Sequence, residues 1–156
     1  MKKLLFLFLA PLVILSSCSK NDSEVDPVKQ AATDDATIKT YLKAHPEINA
    51  TKDPSGIYYQ LIKPGAGDNP ISTSTVTVNY TGKLLDGTTF DKGTSFTSAL
   101  NGNLITGWKV GIPLVKAGGT ILLIIPSGLA YGSRANGSIP ANSVLLFTVD
   151  LIGFYR

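Results

Sequence analysis

The chain carries almost none of the side chains on which hydrolytic or metal chemistry is usually built. His45 is the only histidine and Cys18 the only cysteine. His45 falls in the first third of the chain, away from the strand-like second half, so a serine–histidine–aspartate arrangement lacks its base. A lone cysteine permits no intrachain disulfide, and no cysteine- or histidine-based metal site can be assembled. No GxxxxGK[ST] or GxGxxG motif follows a strand. The carboxylates of the second half are Asp68, Asp86, Asp91 and Asp150. Asp68 and Asp86 sit in turns, and Asp150 occupies a solvated strand position. Asp91 alone stands beside an aromatic, Phe90, outside an obvious turn. What remains is a set of rings: Tyr80, Phe90, Phe96, Trp108, Tyr131 and Phe147. Rings alone make a core. Two tyrosines and an aspartate among them suggest a pocket, because a buried tyrosine hydroxyl needs a partner and binding sites are typically apolar with a few convergent polar groups.

The elements that must position these residues can be read from the pattern. Residues 75–81 alternate strictly, with Val76, Val78 and Tyr80 on one face. Asp86-Gly87 is a hairpin signal leading to Phe90 and Asp91, then to Phe96. Residues 104–115 hold the only helix expected in the second half, kept short by Gly107, Gly111 and Pro113. Trp108 is the residue expected to seat it on the sheet. Two apolar runs, 120–125 and 144–154, flank a loop rich in Gly, Ser, Asn and Pro that carries Tyr131 and Ile139. The second run places Leu145, Phe147, Val149 and Leu151 on a buried side, with Thr148 and Asp150 opposite. A long loop between two strong strands is usually functional. Residues 57–61 form a further strand, with Ile57, Tyr59 and Leu61 alternating with Tyr58 and Gln60. The fold class is therefore α+β, with five or six antiparallel strands around one short helix.

Ahead of this unit lie three segments. Residues 1–17 read as a signal peptide, because Lys2 and Lys3 precede an apolar run over 4–15 that is too short to span a bilayer. The run ends in Leu15-Ser16-Ser17-Cys18, which resembles a bacterial lipobox and implies cleavage before Cys18 and lipidation of its thiol. Residues 18–30 are a polar tether. Residues 31–54 form an N-terminal helix and a linker. In the helix, Ile38, Tyr41 and Leu42 recur at helical spacing, Thr33 or Asp34 caps the start and Pro46 ends it. Residues 55–156 are the folded domain. The chain has 14 basic and 11 acidic residues. Lys2 and Lys3 leave with the signal, so the mature chain carries 12 basic against 11 acidic. There is no basic cluster, and nucleic acid is not expected as a partner.

Six segments now fall into one order: Val78-Asn79-Tyr80-Thr81-Gly82, Asp86-Gly87-Thr88-Thr89-Phe90-Asp91, Leu104-Ile105-Thr106-Gly107-Trp108, Leu129-Ala130-Tyr131-Gly132, Ile139-Pro140 and Leu145-Leu146-Phe147. Their order and spacing resemble those of FKBP-type peptidyl-prolyl cis-trans isomerases, over residues 56–154. With its lipobox and N-terminal helix, the chain is similar to the bacterial lipoprotein form of that family. The resemblance implies an antiparallel β half-barrel wrapped around one short α-helix, preceded by an N-terminal helix. It implies a pocket with Trp108 as floor and Tyr80, Phe90, Phe96, Leu104, Ile105, Ile139 and Phe147 as walls. Asp91, the Tyr131 hydroxyl and the Ile105 N–H would be its polar groups. Asp91, Tyr131, Phe90 and Phe147 would carry catalysis, and the other residues would bind substrate. Asp91 could instead serve by bonding a neighbouring tyrosine such as Tyr80. Ser98 and Asn103 depart from the commonest family pattern. The implied activity is rotation about X-Pro bonds of exported polypeptides, without cofactor or metal. Rapamycin-class macrolides are a candidate ligand class. The implied location is a bacterial cell membrane, periplasmic or outer-membrane face, through lipid on Cys18. The competing reading is a non-catalytic, chaperone-like module that holds unfolded or proline-containing segments. The oligomeric state stays open.

Overall fold

A computed structural model describes residues 26–156. The segment read as a signal peptide, Cys18 with its expected lipidation and most of the segment read as a tether lie outside these residues. The described chain begins with helix α1, Pro27–Ala44. It starts four residues before the expected position, and neither Thr33 nor Asp34 caps it. Asp26 does, its Oδ1 accepting the Val28 N–H at 2.9 Å, with Pro27 in the first turn. An Asp-Pro pair is a natural helix start, since proline has no N–H to leave unpaired and its fixed φ suits the first turn. Val28, the apolar residue of the extra turn, is exposed and extends no buried stripe of the helix.

Six strands follow: β1 Thr51–Lys52, β2 Tyr58–Lys63, β3 Thr75–Leu84, β4 Thr89–Ala99, β5 Thr120–Ile125 and β6 Leu145–Tyr155. They form one antiparallel sheet in the order β1-β2-β5-β6-β3-β4. The segment read as a linker supplies β1, which pairs Thr51 with Tyr59 and Lys52 with Tyr58. The Asp86-Gly87 hairpin joins β3 to β4, closed by the Leu84 N–H on the Thr88 carbonyl at 2.9 Å. Helix α2, Thr106–Gly111, is as short as its glycines demand and runs into a 3₁₀ turn, Ile112–Leu114. These glycines also face the sheet. A Cβ at Gly107 would strike Ile125, and one at Gly111 would strike Leu123. Bare backbone at those two points lets α2 sit directly on β5, and Trp108 of the same helix is buried in the main core.

The sheet is covered on both sides. On one side α2 caps the main core, which contains Val76, Val78, Ile121, Leu123, Ile125, Phe147, Val149 and Leu151. On the other, α1 lays Ile38 against Tyr58, Ile124 and Val144. β5 is therefore buried on both faces, from Ile121 to Ile125 without a break. The same helix changes the reading of β2. Ile57 faces the main core as expected, but Tyr58 is buried under α1 and Leu61 is exposed. The Tyr58 hydroxyl donates to Asp35 Oδ1 at 2.7 Å, so its polar end is satisfied at that contact. Past Leu61 the β2–β5 register shifts and the strand leaves the core.

Candidate functional site

β3, β4 and β6 bring the rings together by register. Val78 lies opposite Phe96, Tyr80 opposite Gly93 and Val149, and Gly82 opposite Asp91 and Phe147. Two register shifts interrupt the β3–β4 pair, between Val78 and Tyr80 and between Gly82 and Lys83. On a regular strand Phe90 and Asp91 would point to opposite faces. Beside the second shift, Phe90 packs on Phe147 while Asp91 reaches the Tyr80 hydroxyl. A bulge is the usual device for turning a side chain in this way. Gly93 is needed for the same cluster, since a Cβ there would meet the Tyr80 ring at 2.5 Å.

The result is a cavity of about 530 Å³ lined by Tyr80, Asp91, Phe96, Leu104, Ile105, Trp108, Tyr131 and Phe147, with Asn103, Thr106 and Ala130 completing it. Trp108 meets Tyr80 and Phe147 edge to face, with centroids 5.0 and 5.3 Å away and planes 81° apart in each case. Phe96 packs on Tyr80 at 5.8 Å and is half exposed at the rim. Such edge-to-face pairs hold one another's orientation as well as burying area. Two expected wall residues stand elsewhere. Phe90 lies behind Phe147, 5.5 Å between centroids, and supports that wall rather than lining the cavity. Ile139 is buried in the main core, tied to Asn136 by two backbone bonds of 2.9 Å, and also does not line it. Ala130 and Thr106 were not expected in the lining. Each neighbours a residue that was, and a small side chain leaves no periodic signal of its own.

The polar groups divide into those already bonded and those still free. The Tyr80 hydroxyl donates to Asp91 Oδ2 at 2.8 Å, and Asp91 Oδ1 accepts the Lys92 N–H at 2.8 Å. Burial, and then this bond to a carboxylate, push the Tyr80 hydroxyl up to about 12, so it stays protonated. Asp91 thus holds Tyr80 in place. The Tyr131 hydroxyl, the Ile105 N–H and the Trp108 Nε1 have no acceptor among the described residues. Ile105 precedes α2 with extended backbone, which leaves its N–H clear of the helix ladder. Trp108 Nε1 is buried, the Ile105 residue half-buried and Tyr131 exposed at the mouth, and unpartnered donors converging on one apolar cavity suit a carbonyl-bearing ligand.

The comparisons with known proteins agree with this geometry. Residues 67–152 match the FKBP-type peptidyl-prolyl cis-trans isomerase family model. The chain is 38% identical over 146 residues to the FKBP-type peptidyl-prolyl cis-trans isomerase FkpA of Aeromonas hydrophila, covering 86% of this chain and 54% of that protein. It is 41% identical over 104 residues to the outer membrane protein MIP of Legionella longbeachae, covering 64% of this chain and 44% of that one. The crystal structure of FkpA from Escherichia coli superposes with a TM-score of 0.71 at 36% identity, covering 83% of this chain and 62% of that chain. The chain spans about half the length of the two sequence relatives. On the match over residues 67–152, the chain belongs to the family of FKBP-type peptidyl-prolyl cis-trans isomerases.

Proposed function

We propose that this chain catalyses cis-trans isomerisation of X-Pro peptide bonds and that the aromatic cavity is where it does so. The observation that carries this reading is the division of polar groups at the cavity. Tyr80 and Asp91 are committed to each other, while the Tyr131 O–H and Ile105 N–H face no protein acceptor. The reaction needs neither nucleophile nor cofactor. Rotation about a peptide C–N bond faces a barrier of about 18–20 kcal/mol because of its double-bond character. At the top of that barrier conjugation is lost and charge separation across the amide falls. An apolar cavity lined by rings therefore favours the twisted amide over the planar one, which is the condition for catalysis. In this mechanism the proline ring packs over Trp108 and against Phe147. Tyr131 and Ile105 donate to carbonyl groups of the bound chain, which holds its backbone while the amide turns. Asp91 acts by orienting Tyr80, and Phe90 by backing Phe147.

The test is acceleration of cis-to-trans exchange in a short Ala-Leu-Pro-Phe peptide, with and without a rapamycin-class macrolide. The expected result is acceleration that the macrolide suppresses. A well-folded protein that gives no acceleration, yet suppresses aggregation of an unfolded polypeptide, would replace the enzyme with a binding module.

The location proposed is the exported side of a bacterial cell membrane, with lipid on Cys18. Its support is the short apolar run ending in Leu15-Ser16-Ser17-Cys18, together with a relative named as an outer membrane protein. Metabolic labelling with a fatty-acid analogue should mark the wild-type chain and spare Cys18→Ala. Equal labelling of both would remove Cys18 as the anchor.

A further inference from the structure

Helix α1 packs on the face of the sheet opposite the aromatic cavity, yet one buried carboxylate connects the two. Asp34 is 2% exposed. Its Oδ2 accepts both the N–H and the Oγ–H of Ser127, at 2.8 and 2.7 Å, across 93 residues of sequence. Its Oδ1 accepts from Gln30 Nε2 at 2.7 Å. Ser127 is itself fully buried and opens the loop after β5. The Ser127 carbonyl accepts the N–H groups of Ala130, at 2.9 Å, and Gly132, at 2.8 Å. These are the two neighbours of Tyr131. The Gly132 carbonyl in turn accepts the Asn142 N–H at 2.8 Å and closes the loop. A continuous run of hydrogen bonds thus leads from α1 through Asp34 and Ser127 to the backbone on both sides of Tyr131.

We propose that Asp34 is a positioning residue for the cavity, setting where the Tyr131 hydroxyl stands by holding Ser127. The inference rests on the reading of the cavity given above. Seating a helix on a sheet does not require a buried carboxylate, and desolvating one is costly unless its lone pairs are filled. Here they are filled, Oδ1 by Gln30 and Oδ2 twice by Ser127, the residue on which the bonds around Tyr131 converge. A cleft of about 490 Å³ borders the junction, between α1 and the loop, and gives Ser127 room to move once released. Small displacements of a group that holds substrate lower rates steeply.

The experiment is a double-mutant cycle in the full chain, crossing Asp34→Ala with Tyr131→Phe. It is read by peptide isomerisation below the melting range of every variant and by the melting temperature itself. In the Tyr131 background, Asp34→Ala should lower kcat/KM about tenfold, by misplacing a group it does not itself provide. In the Tyr131→Phe background it should lower it less than twofold, because the group it positions is already gone. The shift in melting temperature should be the same in both. Asp35→Asn, on the same helix but bonded away from the loop, should leave kcat/KM unchanged. An equal loss of rate in both backgrounds, or no loss in either, overturns the proposal. Should Asp34→Ala fail to fold, Ser127→Ala removes only the Oγ donor and is judged by the same cycle. If the wild-type chain shows no acceleration, the isomerase reading fails by itself. The positioning role is then decided by the Tyr131 ring resonances of the free protein. Asp34→Ala, or Ser127→Ala in its place, must move them and Asp35→Asn must not; unmoved resonances in the first variant overturn it.

Discussion

The two faces of the sheet solve the problem of buried polar groups in opposite ways. Under α1, the Asp34 and Asp35 carboxylates and the Tyr58 hydroxyl all have partners. Asp34 takes three donors, and Asp35 binds Lys39, Lys52 and the Tyr58 hydroxyl. Under α2, the aromatic cavity leaves the Tyr131 hydroxyl, the Ile105 N–H and the Trp108 Nε1 without acceptors among the described residues. Folding alone favours the first arrangement, since a buried unfilled donor such as the Trp108 Nε1 costs what water would have given it. The second persists where a ligand supplies the missing acceptor. The contrast separates a face built to hold the protein together from one built to hold something else.

That separation can be broken by matched truncations. Phe147 and Ile124 are both buried, the one on the cavity side and the other beneath α1. Phe147→Ala should cost about 3–5 kcal/mol and Ile124→Ala about 2–4 kcal/mol in denaturant unfolding, as core truncations do. Only the first should also abolish peptide binding by the folded protein, because Phe147 contacts Tyr80, Phe90 and Trp108 at once. Ile124→Ala should leave the rate per folded molecule within about twofold, because its side chain lies on the opposite face of the sheet and shares no packing cluster with the cavity. An equal loss of rate from the two would mean that the faces are not separable.

A smaller effect sharpens the contrast within the cavity. Tyr131→Phe removes a hydroxyl with no protein partner, so it should change stability by less than about 0.5 kcal/mol while lowering kcat with little change in peptide affinity. Asp91→Ala strands the Tyr80 hydroxyl and should cost about 1 kcal/mol as well as rate. Tyr80→Phe should then restore part of the stability but none of the rate. If Tyr131→Phe is as destabilising as Asp91→Ala, its hydroxyl is structural and the division between bonded and free groups is wrong.

What the sequence made legible follows the same division. The cavity side could be read because its signals are periodic or aromatic. Val76, Val78 and Tyr80 alternate, Leu145 to Leu151 alternate, and Trp108 stands between two glycines that allow only a short helix. The covered side was harder. Asp34 looked like a helix cap, because an aspartate near a helix start usually is one and its real partner lies 93 residues away. Tyr58 was placed only on the face opposite Ile57, Tyr59 and Leu61, because alternation by itself does not say that a second element covers that face. The signal that could have shown it is the unbroken run Ile121-Leu122-Leu123-Ile124-Ile125, which fits a strand buried on both faces. Phe90 and Ile139 were placed in the right neighbourhood but one layer too far forward. Register shifts and tight turns decide that depth, and neither is written in residue type.

The smallest effect concerns Asp35 and separates the two faces by pH. Its carboxylate is held well below the ordinary 3.8, first by Lys39, then by Lys52 and the Tyr58 hydroxyl. A carboxyl lowered on folding contributes stability that is complete above its unfolded value and is lost as pH falls toward the folded one. The melting temperature of the wild type should therefore drop as pH is taken below about 4, the range in which an unfolded aspartate gains its proton. Asp35→Asn should melt lower at pH 7 and show a flatter acid limb, so that the two curves converge in acid. On the alkaline side the signs reverse. Tyr58 and Tyr80 are both pushed from 10.0 up to about 12, by burial first and then by Asp35 and Asp91 respectively. Each contributes stability that is complete below 10.0 and is lost as pH rises through about 12. Asp35→Asn should remove the carboxylate's share of the Tyr58 contribution and leave that of Tyr80 intact, so its alkaline limb changes less than its acid limb. Asp91→Asn should do the converse, weakening the Tyr80 contribution while keeping the acid limb that Asp35 provides. Parallel curves for wild type and Asp35→Asn from pH 7 to pH 2 would mean that the ionised Asp35 carboxylate contributes nothing to folding. The partnered face would then rest on the bonds of Asp34 and on the packing of Ile38, Tyr58, Ile124 and Val144.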